Sequence, residues 1–236
     1  MFIKSSQGDV DLWAGKPDSQ AAHNQLLAAL QAAGTIFLAP RTALTDRRKG
    51  NLGEFIALTV GRTNDLKACN VIAANAHSPL GDISRAALDL LWLFFGSNPG
   101  EDFGVVQEVK TTGDAALGYA NRLISDYSKL FATDIQFTLN SRFGAAANIM
   151  EGLGVQSDLC CRARDLAGIS PDTSPQIRLI PTLVHERKGA APVPRLLAVK
   201  NTIVTAEGWK SSAVKCWSVA LDDIEQRLAR LSWGHA

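Results

Sequence analysis

The sequence predicts an α/β fold, and three patterns carry that expectation. Apolar residues recur at helical spacing in two early segments, β-rich runs flank a Gly/Pro turn near the middle, and strand-like runs followed by a helix close the chain. Together they describe a mixed sheet flanked by helices, with an N-terminal helical extension and additional C-terminal strands. With 236 residues the chain can bury one sizeable core, so 1–236 reads as a single domain. A hydrophobic content of 46% with 20% charged residues excludes an extended disordered chain. Mean hydropathy of +0.02 excludes a multi-span membrane protein. The longest strongly apolar run, 86–96, carries Asp89 and falls far below the roughly 20 residues a membrane helix needs. The N-terminus lacks the basic start and apolar run of a secretion signal, which predicts a cytoplasmic protein with no membrane partner.

In chain order, Leu26, Leu27, Leu30 and Ala33 predict a helix over 20–33 that Gly34 ends, followed by a short strand over 35–39 closed by Pro40. Leu52, Phe55, Ile56 and Thr59 form one apolar face over 52–60, with Asn51 as the expected N-cap. Residues 71–74 read as a short strand, and 87–95 and 104–112 as longer ones joined by Gly96-Ser97-Asn98-Pro99-Gly100. Helices are expected over 119–131 and 140–153, and Pro171 and Pro175 mark a loop. Strands over 177–185, 196–204 and 214–219 follow, then a helix over 222–231.

Charge is nearly balanced, 24 Lys and Arg against 23 Asp and Glu, so the overall composition is not that of a strongly basic nucleic-acid binder. The four cysteines, Cys69, Cys160, Cys161 and Cys216, lack paired C-x-x-C spacing and read as reduced thiols, mostly buried, rather than a zinc site.

The chemistry concentrates in the central hairpin. If its turn centres near Pro99, opposed positions sum to about 198, which sets Asp89 opposite position 109, give or take one. Glu108 and Lys110 are two apart on a strand and project from one face. Two carboxylates and a lysine among Leu, Trp, Phe and Val are costly to bury unless paired or bound to metal. A hard divalent cation relieves carboxylate repulsion while keeping waters for reaction. Lys110 would then orient or deprotonate an attacking water, or stabilise charge developing on a phosphate. Glu54, in the first turn of the 52–60 helix, is a candidate third carboxylate, although a surface Glu favoured by the helix dipole is its plainer reading. For Glu108 and Lys110 the plainer reading is a solvated ion pair.

This order, a helix with Glu54, an apolar strand with Asp89, a hairpin, Glu108-Val109-Lys110, then a helix, resembles the PD-(D/E)XK nuclease superfamily and its restriction-endonuclease-like fold. The resemblance covers about 49–131. It implies Asp89, Glu108 and the Val109 carbonyl as ligands of Mg²⁺ or Mn²⁺, and Glu54, Asp89, Glu108 and Lys110 as the catalytic set. Leu88 stands where many members have Pro, and Asp102 is a competing acid that its Gly/Pro-rich turn explains as a turn former. The Lys49–Glu54 stretch and the Leu88-Asp89-Leu90-Leu91 run are similar to nuclease subunits of Hachiman-type bacterial antiphage systems. That narrower likeness implies DNA as substrate and a helicase or other ATPase as partner; the chain itself has no Gly-rich Lys-Ser/Thr phosphate loop. The alternative is a non-catalytic DNA-binding or scaffolding subunit.

Arg41, Arg47, Arg48 and Lys49 form a basic patch just before Glu54, suited to phosphate contacts. A second group, residues 187, 188, 195, 200, 210 and 215, reads equally well as solvated loops and strand edges. Trp209 and Trp217 are expected in packing rather than base stacking, and His185 as a structural histidine.

Overall fold

The computed structural model describes residues 2–15, 46–73, 89–114, 116–131, 139–166, 176–188 and 191–226. The expected helix over 20–33, the strand over 35–39 and Arg41 lie outside the described residues, as does the closing helix beyond 226. The chain opens with an antiparallel hairpin, β1 (Phe2–Gln7) and β2 (Val10–Gly15), turning at Gly8 with φ +59°. Hydrophobic periodicity does not announce this hairpin, because β1 is polar and exposed along nearly its whole length. It is held from outside, by parallel pairing of β2 with the last strand.

Then follow α1 (Asp46–Thr63), β3 (Asn70–Ala73), β4 (Leu90–Phe94), β5 (Phe103–Gln107), β6 (Val109–Thr112), α2 (Asn121–Phe131), α3 (Leu139–Gly152) and α4 (Ser157–Asp165). The chain closes with β7 (Ile177–Leu179), β8 (Thr182–Glu186), α5 (Pro192–Glu207) and β9 (Cys216–Leu221). Strands β1-β2-β9-β8-β6 form one mixed sheet and β3-β4-β5-β7 another, so the fold is α/β with helices on both faces.

The two sheets share one register. Parallel β5/β7 pairs Gly104 with Ile177, and parallel β6/β8 pairs Val109 with Thr182, an offset of 73 in both cases (177 minus 104, 182 minus 109). The 104–112 and 177–185 strands of the sequence reading are therefore each interrupted, at Glu108 and at Ile180-Pro181, without slipping. In an unbroken parallel ladder the Glu108 N–H would meet the Ile180 carbonyl. Each instead has another partner: Glu108 N–H donates to the Tyr127 hydroxyl at 3.3 Å, and the Ile180 carbonyl accepts from the Thr182 hydroxyl at 3.1 Å. The rungs on either side persist, Ile180 N–H to Val106 at 2.9 Å and Thr182 N–H to Glu108 at 2.8 Å.

Alternation along the strands divides the core in two. Leu90, Trp92, Val105 and Val109 pack with Phe55, Ile56, Ala57 and Val60 of α1. Leu91, Leu93 and Val106 pack with Leu123 and Tyr127 of α2, Phe143 of α3, Cys160 and Ala163 of α4, and Leu196 and Val199 of α5. Parity carries through the interruption, so Glu108 and Lys110 belong to the face that α2 and α3 cover.

Three other sequence expectations are corrected. Residues 196–204 are helical, within α5: Leu196, Val199, Lys200 and Ile203 are buried at i, i+3, i+4 and i+7, Pro192 starts the helix, and Gly208 at φ 70° ends it. Of the β-branched residues that suggest a strand there, Val199 and Ile203 lie on the buried helical face and Thr202 and Val204 flank it, half-buried. Asn51 is not an N-cap but lies inside α1, which begins a turn earlier at Asp46. Helix α4 occupies a stretch the sequence reading leaves without structure. Among the described residues no helix is long and apolar enough to cross a membrane.

Helix α1 reaches the sheet through Gly53, where a Cβ would overlap the Thr111 side chain of β6. A β-branched residue in a strand has little room to yield. Gly53→Ala is therefore expected to lower unfolding free energy by about 1–3 kcal/mol, read as a fall in urea midpoint at unchanged slope.

Candidate functional site

Asp89 immediately precedes β4. Because Leu90 pairs with Gln107, continuing the register by one residue sets Asp89 opposite Glu108, one position from the centre of the sequence expectation and within its stated range. Directly opposed residues share a face, so both carboxylates lie on the side of α2 and α3. Asp89 Oδ2 accepts the Val109 N–H at 2.6 Å, across the gap left where β4 has not yet begun. Glu108 is buried, with 4% exposure. Lys110, on the same face, pairs through Nζ with Asp126 Oδ2 of α2 at 2.6 Å.

Burial pushes the Glu108 carboxyl well above its ordinary value, and the nearby Asp89, Asp126 and Glu54 carboxylates add to this against Lys110. Asp89 is raised for the same leading reason, opposed by the Lys110 ammonium and the Val109 N–H. Burial alone would lower Lys110, yet Asp89, Asp126 and Glu108 outweigh it and hold the ammonium above its ordinary value. Without a metal Lys110 is held as an ammonium, the form that orients a water or stabilises charge developing on a phosphate.

The four candidate residues thus converge to differing degrees. Asp89, Glu108 and Lys110 form one cluster, and Glu54 reaches it electrostatically from α1. Sequence reasoning missed three neighbours. Asp126 holds Lys110. Tyr127 binds Glu108 N–H and donates to the Val106 carbonyl at 3.1 Å. Arg142 of α3 is disfavoured as a cation by burial and favoured by Glu108 and Asp89. The available signal was position: α2 follows the Glu108 strand directly and must pack on it, so an acid and a tyrosine on that helix were candidates.

A cation site can be assessed from the donors. Mg²⁺ accepts one or two carboxylates and completes its octahedron with water. Asp89 and Glu108 supply two hard carboxylates whose burial and mutual repulsion a dication would relieve. Backbone alternation places the Val109 carbonyl on the same strand edge as its N–H, which Asp89 already accepts. Among the described residues no group of three or more His, Cys, Asp and Glu gathers around one point, so the fit is to two carboxylates, a carbonyl and water.

The remaining sequence candidates are structural or lie apart. Lys49 pairs with Glu225 at 2.8 Å; the side chains of Arg47 and Arg48 lie outside the described residues. In the second basic group, Arg187 pairs with Asp222 at 2.9 Å, Lys215 with Asp11 at 3.0 Å, and buried Lys200 with Asp9 at 2.9 Å. Trp209 and Trp217 are buried. His185 donates from Nδ1 to the Glu186 carbonyl at 2.7 Å, which leaves Nε2 to accept the Ser218 hydroxyl at 2.8 Å. Asp102 binds the Gly96 N–H at 2.9 Å and Arg162 Nε at 2.8 Å, a turn anchor rather than a ligand. All four cysteines are free; Cys161 is exposed, and burial pushes the Cys216 thiol up to about 12. Comparison with protein-family models gives no match, and none is found among curated proteins.

The raised Glu108 carboxyl has a consequence for stability. A carboxyl that binds its proton more tightly folded than unfolded destabilises the folded state as pH rises from 4.5 through its folded value. The metal-free protein is expected to lose thermal stability over that rise. Glu108→Gln, which keeps the shape without the charge, is expected to melt higher at neutral pH and to flatten the profile; calorimetry across the range checks both.

Proposed function

We propose that the chain is a metal-dependent nuclease of the PD-(D/E)XK superfamily that hydrolyses DNA phosphodiester bonds with Mg²⁺ or Mn²⁺. The observation that carries the reading is the juxtaposed carboxylate pair, half-buried Asp89 and buried Glu108, with the Lys110 ammonium on the same sheet face. Support also comes from the element order around it: α1 with Glu54, the β4/β5 hairpin, Glu108-Val109-Lys110, then α2.

Asp89, Glu108 and the Val109 carbonyl would hold the cation. When bound, it would act as a Lewis acid on a phosphoryl oxygen and neutralise the carboxylate pair. Lys110 presents a fixed positive charge to the pentacovalent transition state, where the phosphate gathers negative charge. Asp126 holds that ammonium in place, and Arg142 adds a second cation on the α3 side. Glu54 tunes the field at Glu108.

Cleavage with little sequence preference, restrained by a partner, is the mode we propose. A helicase or other ATPase in a bacterial antiphage system, working in the cytoplasm, is the partner and setting we propose. A second reading, a DNA-binding or scaffolding subunit without catalysis, draws on the engagement of Lys110 by Asp126.

Cleavage of supercoiled and linear DNA with Mg²⁺ or Mn²⁺ separates the two. Chelator-sensitive cleavage is expected, with a loss of roughly 10²-fold or more in folded Glu108→Ala and Lys110→Ala proteins. DNA binding without cleavage, with and without an ATPase partner, would favour the second reading. Equal cleavage in all three proteins would refute the site.

A further inference from the structure

The interruption beside Glu108 is bridged by side chains that are themselves buried. Trp92 Nε1 donates to Gln107 Oε1 at 2.8 Å, Gln107 Nε2 donates to Thr182 Oγ1 at 2.9 Å, and the Thr182 hydroxyl donates to the Ile180 carbonyl at 3.1 Å. Trp92, Gln107 and Thr182 are each fully buried. Every donor in this chain has an acceptor, and it runs from β4 through β5 to β8, across three strands. It ends on the carbonyl that an unbroken ladder would give to Glu108. The Ile180 carbonyl takes the Thr182 hydroxyl and the Glu108 N–H takes Tyr127, so the backbone is open by one rung while the register stays fixed.

We propose that Thr182 is a positioning residue for Glu108: by drawing the Ile180 carbonyl toward its own hydroxyl, it keeps the rung open and sets the direction of the Glu108 carboxylate toward Asp89. Gln107 holds the Thr182 hydroxyl in that orientation. The inference rests on the proposed cation site at Asp89 and Glu108. Neither Thr182 nor Gln107 touches the cation or a substrate; they act through the backbone on which a ligand is mounted, and partners of that kind commonly govern affinity.

The test is Mn²⁺ binding to the full chain by electron paramagnetic resonance, comparing wild type, Thr182→Val and Thr182→Ser, with hydrogen exchange of the Glu108 amide measured in the same proteins. Thr182→Val keeps the shape and removes the hydroxyl; Thr182→Ser keeps the hydroxyl. Expected is a loss of about tenfold or more in Mn²⁺ affinity for Thr182→Val, near wild-type affinity for Thr182→Ser, and slower Glu108 exchange in Thr182→Val as the rung closes. If wild type and Thr182→Val bind Mn²⁺ equally, the positioning role is overturned and the cation site stands. Should Thr182→Ser lose affinity as Thr182→Val does while both remain folded, the hydroxyl is not the cause and the proposal fails. If wild type binds no Mn²⁺, the cation site fails and the positioning role falls with it.

Discussion

A buried carboxylate set beside a second, half-buried one loses hydration and is repelled by its neighbour, and the centre of this protein is organised around that cost. Asp89 and Glu108 meet on the sheet face otherwise lined by Leu91, Leu93 and Val106. The surroundings answer with positive charge and donors: the Lys110 ammonium, the Val109 N–H on Asp89, and Arg142 from α3. Asp126 in turn fixes Lys110. A structural ion pair with Lys110 would need no second carboxylate here, whereas two juxtaposed carboxylates suit a divalent cation.

The sheet supplies the geometry through a local defect. Continuous pairing from β5 to β6 and from β7 to β8 would satisfy Glu108 N–H and Ile180 C=O with each other. Hydroxyls from Tyr127 and Thr182 take those groups instead. The common 73-residue offset on both sides means that the side-chain alternation survives. Glu108 and Lys110 therefore stay on one face although the strands between them and β5 are interrupted. Lattice-like regularity on either side is what makes a one-rung opening a fixed feature rather than a slip.

Much of this was legible in the sequence because it depends on short-range pattern. The Gly/Pro turn after 95 fixes the β4/β5 pairing, and the Asp89–Glu108 proximity follows by counting back from it. Asp102, His185 and the two tryptophans behave as their plain chemistry suggests. The opening at Glu108 was not legible, because Tyr127 and Thr182 are far from it in sequence and the run from 104 to 112 is uniformly β-rich. Residues 196–204 misled for a different reason: Val199, Thr202, Ile203 and Val204 favour strands intrinsically, but burial at Leu196, Val199, Lys200 and Ile203 follows helical spacing, and tertiary packing overrides the propensity. The N-terminal hairpin gave no signal because its outer strand buries almost nothing.

The central claim is that Asp89, Glu108 and the Val109 carbonyl form one cation site. Anomalous diffraction from crystals grown with Mn²⁺ tests it most directly. The account predicts a single strong peak at coordination distance from both carboxylates and that carbonyl. A fully ordered Asp89–Glu108 pair with no peak between them, or a peak held by other residues, would contradict it.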